Sequence, residues 1–145
     1  MRFATTTAAL AAALPLAFAQ TSTDCDPTKK SCPADQGLSS STYSADFTSG
    51  SGANASWSAA AYTDITYGSD GAVFSIANKN QAPTIQTDFY VFFGKIDVVM
   101  KAAPGTGIVS SIVLESDDLD EIDWEFLGGS NGQVQSDFVS VCQSM

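Results

Sequence analysis

Nine consecutive residues, Asp120-Glu121-Ile122-Asp123-Trp124-Glu125-Phe126-Leu127-Gly128, hold the side chains best equipped for chemistry. Acids alternate with large apolar residues. In a strand, Glu121, Asp123 and Glu125 therefore share one face, while Ile122, Trp124 and Phe126 share the other. A row of carboxylates repels itself and adds nothing to a core. Two glutamates with an acid between them are the equipment for breaking a glycosidic bond. Residues i and i+4 of a strand lie about 13 Å apart at ~3.3 Å per residue. Leaning together on a concave face, two glutamates bring their carboxyls to about 5 Å, near the spacing of retaining enzymes that use one carboxylate as nucleophile. Asp123 would then hold the nucleophile by hydrogen bonding, and its charge would help keep the acid/base protonated.

Plain solvation of a strand edge and a calcium site are the alternatives. Solvation fits poorly with Ile122, Trp124 and Phe126, which imply a covered opposite face with Trp124 packed between two sheets. The acid and glycine spacing of a calcium-binding EF-hand loop is absent. On spacing alone, catalytic and non-catalytic readings both stand.

The elements that must position these acids are short and β-rich. The pattern predicts strands over 43–48, 62–67, 72–77, 84–87, 89–101, 107–115, 119–127 and 133–139, separated by Gly-, Ser- and Asp-rich turns. No useful helical period follows the first residues. Closely spaced strands argue for an all-β antiparallel sandwich. The run Phe89–Lys101 is apolar on both faces in its first half and reads as a central strand, with Gly94 at a bulge or bend. Its aromatics Phe89, Tyr90, Phe92 and Phe93 would suit a sugar platform, but core packing is the favoured reading.

The chain opens like a secretory signal peptide: Arg2, an apolar run from Ala8 to Leu16, then Ala17-Phe18-Ala19 as a small-x-small cleavage site. Cleavage after Ala19 leaves 126 of the 145 residues and moves the formal net charge from −10 to −11 through loss of Arg2. No later run is long and apolar enough for a membrane span, and none resembles a lipid-anchor tail. Five lysines against sixteen acids leave no basic patch, so nucleic acid is not an expected partner. Without histidine there is no Ser-His-Asp triad and no imidazole zinc site, and no cofactor or metal is expected. Acid–base work near neutral pH falls to carboxyls.

Residues 20–41 read as an extended segment pinned by a disulfide between Cys25 and Cys32, the natural pairing in a secreted chain. Cys142 is left over as a free thiol. Asn54-Ala55-Ser56 is an N-glycosylation acceptor in a Gly/Ser-rich loop.

Glu121-Ile122-Asp123-Trp124-Glu125 matches the E-x-D-x-E signature of glycoside hydrolase family 16. The stretches from Lys101 to Ser111, Glu115 to Gly129 and Gln133 to Gln135, with the Cys25–Pro33 segment, resemble the fungal Crh-type cell-wall transglycosylases of that family. The resemblance runs from the signal peptide to about Phe138. It implies a concanavalin-like β-jelly-roll with Glu121 as nucleophile, Asp123 as its assistant and Glu125 as general acid/base. It also implies a secreted cell-wall enzyme that cuts a chitin donor and rejoins the fragment to a β-glucan acceptor; a monomer is expected.

Such a sandwich is expected to need roughly 200 residues or more. The organisation expected is therefore a signal peptide at 1–19, the disulfide-pinned segment at 20–41, a partial family 16 domain at 42–138 and a divergent tail at 139–145. Two further readings stay open: a carbohydrate-binding sandwich without turnover, and an inactive truncated fragment.

Overall fold

The structure is a computed structural model that describes residues 23, 25–50, 55–130 and 132–140. The expected signal peptide, Asn54 and Cys142 lie outside the described residues. Among the described residues no helix is long and apolar enough to cross a membrane.

The architecture is all-β and antiparallel, as expected. Among the described residues a short 3₁₀ turn, η1 (Phe47–Ser49), precedes seven strands: β1 (Trp57–Ala59), β2 (Ile65–Gly68), β3 (Gly71–Phe74), β4 (Ile85–Thr87), β5 (Val109–Glu115), β6 (Glu121–Leu127) and β7 (Gln135–Val139). They form three sheets, β1-β4, β2-β3 and β5-β6-β7. The acidic run is thus the central strand of the largest sheet.

Each pairing follows from local chemistry. β2 and β3 meet at Gly68↔Gly71 across Ser69-Asp70, where Gly71 takes a φ of 95° that a side chain would disfavour. β1 and β4 pair across a longer loop, extended by Ala60 N–H donating to the Thr84 carbonyl (3.0 Å) and Asp88 N–H to that of Ser56 (2.9 Å). An aromatic chain links these pieces: Phe89 against Tyr43 at 4.8 Å, Phe47 against Trp57 at 5.8 Å, and Phe47 against Tyr67 at 6.2 Å. The Trp57 indole N–H donates to the Tyr43 hydroxyl at 2.9 Å, joining the Tyr43–Phe89 pair to the other two.

The N-terminal segment is pinned as expected. Cys25 and Cys32 are bridged, with Cα atoms 5.8 Å apart. Asp26 organises the loop between them: its side chain accepts from Thr28 N–H at 2.9 Å and pairs with Lys29 Nζ at 2.6 Å. Hydrogen bonding from Lys29 and Thr28 holds its carboxyl down at about 2. Further on, Gly37 and Tyr90 form a parallel bridge.

Two strand expectations are corrected. Residues 43–48 do not form a strand. The Asp46 carboxylate accepts from Thr48 N–H (3.0 Å) and Thr48 Oγ1 (2.6 Å), and this local bonding turns the chain into η1. Residues 89–101 form no strand either. Only Tyr90 makes a bridge, and residues 91–101 belong to no ladder among the described residues. A strand apolar on both faces needs neighbours at both edges and layers on both faces. Here Phe92 is 97% and Val99 102% exposed, so core packing holds for neither. Phe92 and Phe93 contact each other at 5.7 Å, whereas Phe89 packs on Tyr43.

No hydrophobic side chain among the described residues is fully buried. Trp124 does lie on the face opposite the acids, with Ile112 as its β5 partner, but it is 37% exposed. Its expected place between two sheets is not filled by the described residues.

Backbone approaches backbone closely at the end of β6. A Cβ on Gly128 would meet the Gly105 carbonyl oxygen at 2.0 Å and the Ile108 oxygen at 3.0 Å. Gly128 N–H also donates to that Ile108 carbonyl at 2.7 Å. Gly128→Ala must therefore displace main chain, and we expect a loss of about 1–3 kcal/mol from such overpacking. Gly37→Ala, with nothing within 4 Å of the added carbon, is the matched control. Denaturant midpoints of the two variants check this; equal midpoints would contradict the contact.

Candidate active site

The site begins with a turn. Ser116 to Asp120 join β5 to β6, and Ser116 closes the loop at several points. Ser116 N–H donates to the Asp120 carbonyl (3.0 Å), and Leu119 N–H donates to the Ser116 carbonyl (3.0 Å). The Ser116 hydroxyl donates to Asp118 Oδ1 (2.5 Å) and accepts from Asp120 N–H (3.1 Å). Leu119 takes a φ of 68°, which lets the chain reverse within this span.

That turn fixes the register. Glu115 sits opposite Glu121, Val113 opposite Asp123 and Ser111 opposite Glu125. On the other side, Asp137 sits opposite Asp123 and Gln135 opposite Glu125. Because side chains alternate, one face of the sheet carries five carboxyls: Glu121, Asp123 and Glu125 from β6, Glu115 from β5 and Asp137 from β7. The other face carries Ile112, Leu114, Ile122, Trp124, Phe126 and Phe138.

The three sequence-predicted acids thus share one face of one strand. Glu115 and Asp137 were not singled out from the sequence. Counting back across a five-residue turn gives the Glu115–Glu121 pairing, so the signal for Glu115 was available once β5 and β6 were taken as a hairpin.

Like charges and burial act on this face together. Glu115 Oε1, Glu121 Oε1 and Asp123 Oδ1 are shielded from solvent and have no hydrogen-bond partner. Burial first, then the charges of Glu121, Asp123 and Asp117, pushes Glu115 up to about 7. Burial, then Asp123 and Asp137, raises Glu121. Burial, then Asp137, raises Asp123. Strands β5, β6 and β7 contain no Lys or Arg to offset these acids. Among the described residues no group of three or more acids or cysteines is arranged to hold a metal ion.

A paired-glutamate motif on a central antiparallel strand, with an acid between, agrees with sequence comparison. The profile of Glycosyl hydrolases family 16 matches residues 49–141, which include the whole acidic face. The chain belongs to this family. Among its relatives, Crh-like protein 5 of Aspergillus fumigatus is 59% identical over 138 residues, covering 95% of this chain and 34% of that protein. Crh-like protein 2 of Botryotinia fuckeliana is 49% identical over 124 residues, covering 86% of this chain and 27% of that protein. A solved Crh5 transglycosylase in complex with NAG superposes with a TM-score of 0.74 at 60% identity, over 79% of this chain and 46% of that one. The chain spans about a third or less of the length of these two curated relatives. The all-β antiparallel architecture is therefore that of a family 16 fold in part.

The raised carboxyls set a direction for stability. A group whose folded pKa exceeds its unfolded value stabilises fully below the unfolded value, and this is lost as pH rises through the folded value. For Glu115 the window runs from the ordinary 4.5 to about 7. Asp26, held down at about 2, acts oppositely and only at lower pH. We expect the melting temperature to fall as pH rises from 5 to 8, and Glu115→Gln to flatten that slope. Calorimetry across this range checks it; the same slope in both proteins would contradict the assignment.

Proposed function

We propose that this chain carries the catalytic strand of a secreted, retaining cell-wall transglycosylase that moves chitin fragments onto β-glucan. The single observation carrying this reading is Glu121, Asp123 and Glu125 on one face of the central strand β6. The similarity to a Crh5 transglycosylase solved with NAG supports a donor containing N-acetylglucosamine. The signal-like opening supports secretion to the wall, where Asn54 would be a glycan acceptor and the enzyme would act as a monomer.

Glu125 protonates the leaving glycosidic oxygen as the Glu121 carboxylate attacks the anomeric carbon. The C–O bond to the leaving sugar breaks, and an ester to Glu121 forms. Asp123, in its protonated form, donates a hydrogen bond to the Glu121 carboxylate. In the second half, Glu125 accepts the proton of an incoming glucan hydroxyl, whose oxygen displaces Glu121. Water in place of that hydroxyl gives hydrolysis. Transfer wins only where an acceptor subsite outcompetes water.

One observation favours a second reading, sugar binding without turnover. Burial and acidic neighbours push Glu121 toward its protonated form, and a protonated carboxyl is no nucleophile. The two readings part on mutation. In a protein carrying the whole domain, we expect Glu121→Gln and Glu125→Gln each to abolish transfer and hydrolysis, and Asp123→Asn to slow them less. Product chromatography with chitin oligosaccharides measures this. A Glu121→Gln variant that keeps most of its turnover would sink the nucleophile role, and glucan or chitin binding without any product would favour the second reading.

A further inference from the structure

Glu115 has no part in the two-glutamate reaction, yet it shares the face of the three acids. Its place is fixed by main-chain pairing: it is the β5 residue directly opposite Glu121. Cβ atoms of such antiparallel partners lie about 4.5–5.5 Å apart, so two glutamate side chains on that face are within reach of each other. Each presents an Oε1 that is out of solvent and without a partner. Two ionised carboxylates in this position would repel, and each would keep a buried, unsatisfied acceptor. One proton between them removes both penalties, because a carboxyl O–H then donates to the facing carboxylate.

We propose that Glu115 is a positioning residue for Glu121: as the protonated member of a cross-strand carboxyl–carboxylate pair, it donates a hydrogen bond that keeps the Glu121 carboxylate ionised and aimed. This rests on the reading of Glu121 as nucleophile. Among the described residues the titratable groups facing the pair are all acids: Asp123 and Glu125 from β6, Asp137 from β7 and Asp117 from the turn. The surroundings therefore favour retaining one proton in the pair, and no cation on these strands competes for it. Both members are raised, with burial the largest cause for each; since the nucleophile must be ionised to attack, the proton is assigned to Glu115. The arrangement answers the difficulty posed by a raised Glu121. The proton of the Glu115–Glu121 pair resides on Glu115 and leaves the nucleophile free.

The sign follows. Below about pH 7 Glu115 carries its proton and supports Glu121. As pH rises through that value the donor becomes a second negative charge, and transfer falls. Gln keeps an N–H donor without titrating; Leu keeps neither.

The test has two arms in the full-length protein. Carbon-13 NMR of the glutamate carboxyls, without substrate, should find a Glu115 midpoint near 7 that falls in Glu121→Gln, with burial, Asp123 and Asp117 still holding it above the ordinary 4.5. In transfer assays, Glu115→Gln should keep kcat within about threefold at pH 5 and lose the alkaline fall. Glu115→Leu should lose roughly 10- to 100-fold in kcat with KM little changed, the scale of a hydrogen bond to a charged group. A Glu115 that titrates near the ordinary 4.5, or Gln and Leu variants with the same kcat and pH profile, would overturn the proposal. The NMR arm needs no turnover. Absent transfer with the Glu115 midpoint high and coupled to Glu121 would therefore sink the functional reading but uphold the pair, whereas normal transfer with an ordinary midpoint would sink the pair alone.

Discussion

The register of the β5–β6 hairpin is the constraint on which the site depends. A strand has a side-chain period of two, so a slip of one residue would send every acid of β6 to the opposite face. Ser116 prevents that slip. Its backbone and hydroxyl close the turn to Asp120 and Leu119, and Leu119 takes the left-handed conformation this turn demands. From this follow the alignment of Glu121, Asp123 and Glu125, and the approach of Glu115 to Glu121. β7 then adds Asp137 opposite Asp123 and makes β6 a central strand, with backbone bonded on both edges.

Electrostatics on this face works against the fold and for the chemistry. Burial and mutual repulsion raise three carboxyls, which favours the folded chain only while protons stay bound. Catalytic groups are where such unfavourable crowding is expected, since pKa values must be set apart for acid and nucleophile to act together. The opposite face has the reverse character. Ile122, Trp124 and Phe138 offer apolar surface with little cover among the described residues.

What the sequence made legible follows from how local the determining forces are. β5, β6 and β7 lie within their expected spans because alternation and flanking turns are local signals. The same holds for β4, while β2 and β3 are displaced toward the tight Gly68–Gly71 turn that joins them. β1 was missed: only three residues long, it is defined by a partner nearly thirty residues away, and its own sequence Trp57-Ser58-Ala59 is too short to establish a period. Residues 89–101 misled in the opposite way. Their composition suits a buried strand, but a ladder depends on partners that composition does not reveal. At the site, the three β6 acids were legible from spacing. Glu115 and Asp137 were not, because they join the face only through cross-strand register.

The central claim is that Glu121 is the residue that bonds to sugar, and trapping tests it most directly. A Glu125→Gln variant of the whole domain would be mixed with a chitin oligosaccharide bearing a leaving group good enough to depart without acid help. Loss of the base then stalls the second half, and the glycosyl-enzyme accumulates. Rapid quenching, proteolysis and mass spectrometry locate the sugar. The account predicts the adduct on the peptide containing Glu121, at that carboxyl. An adduct on Glu115 or another acid, or turnover with no adduct and inverted anomeric configuration, would contradict it.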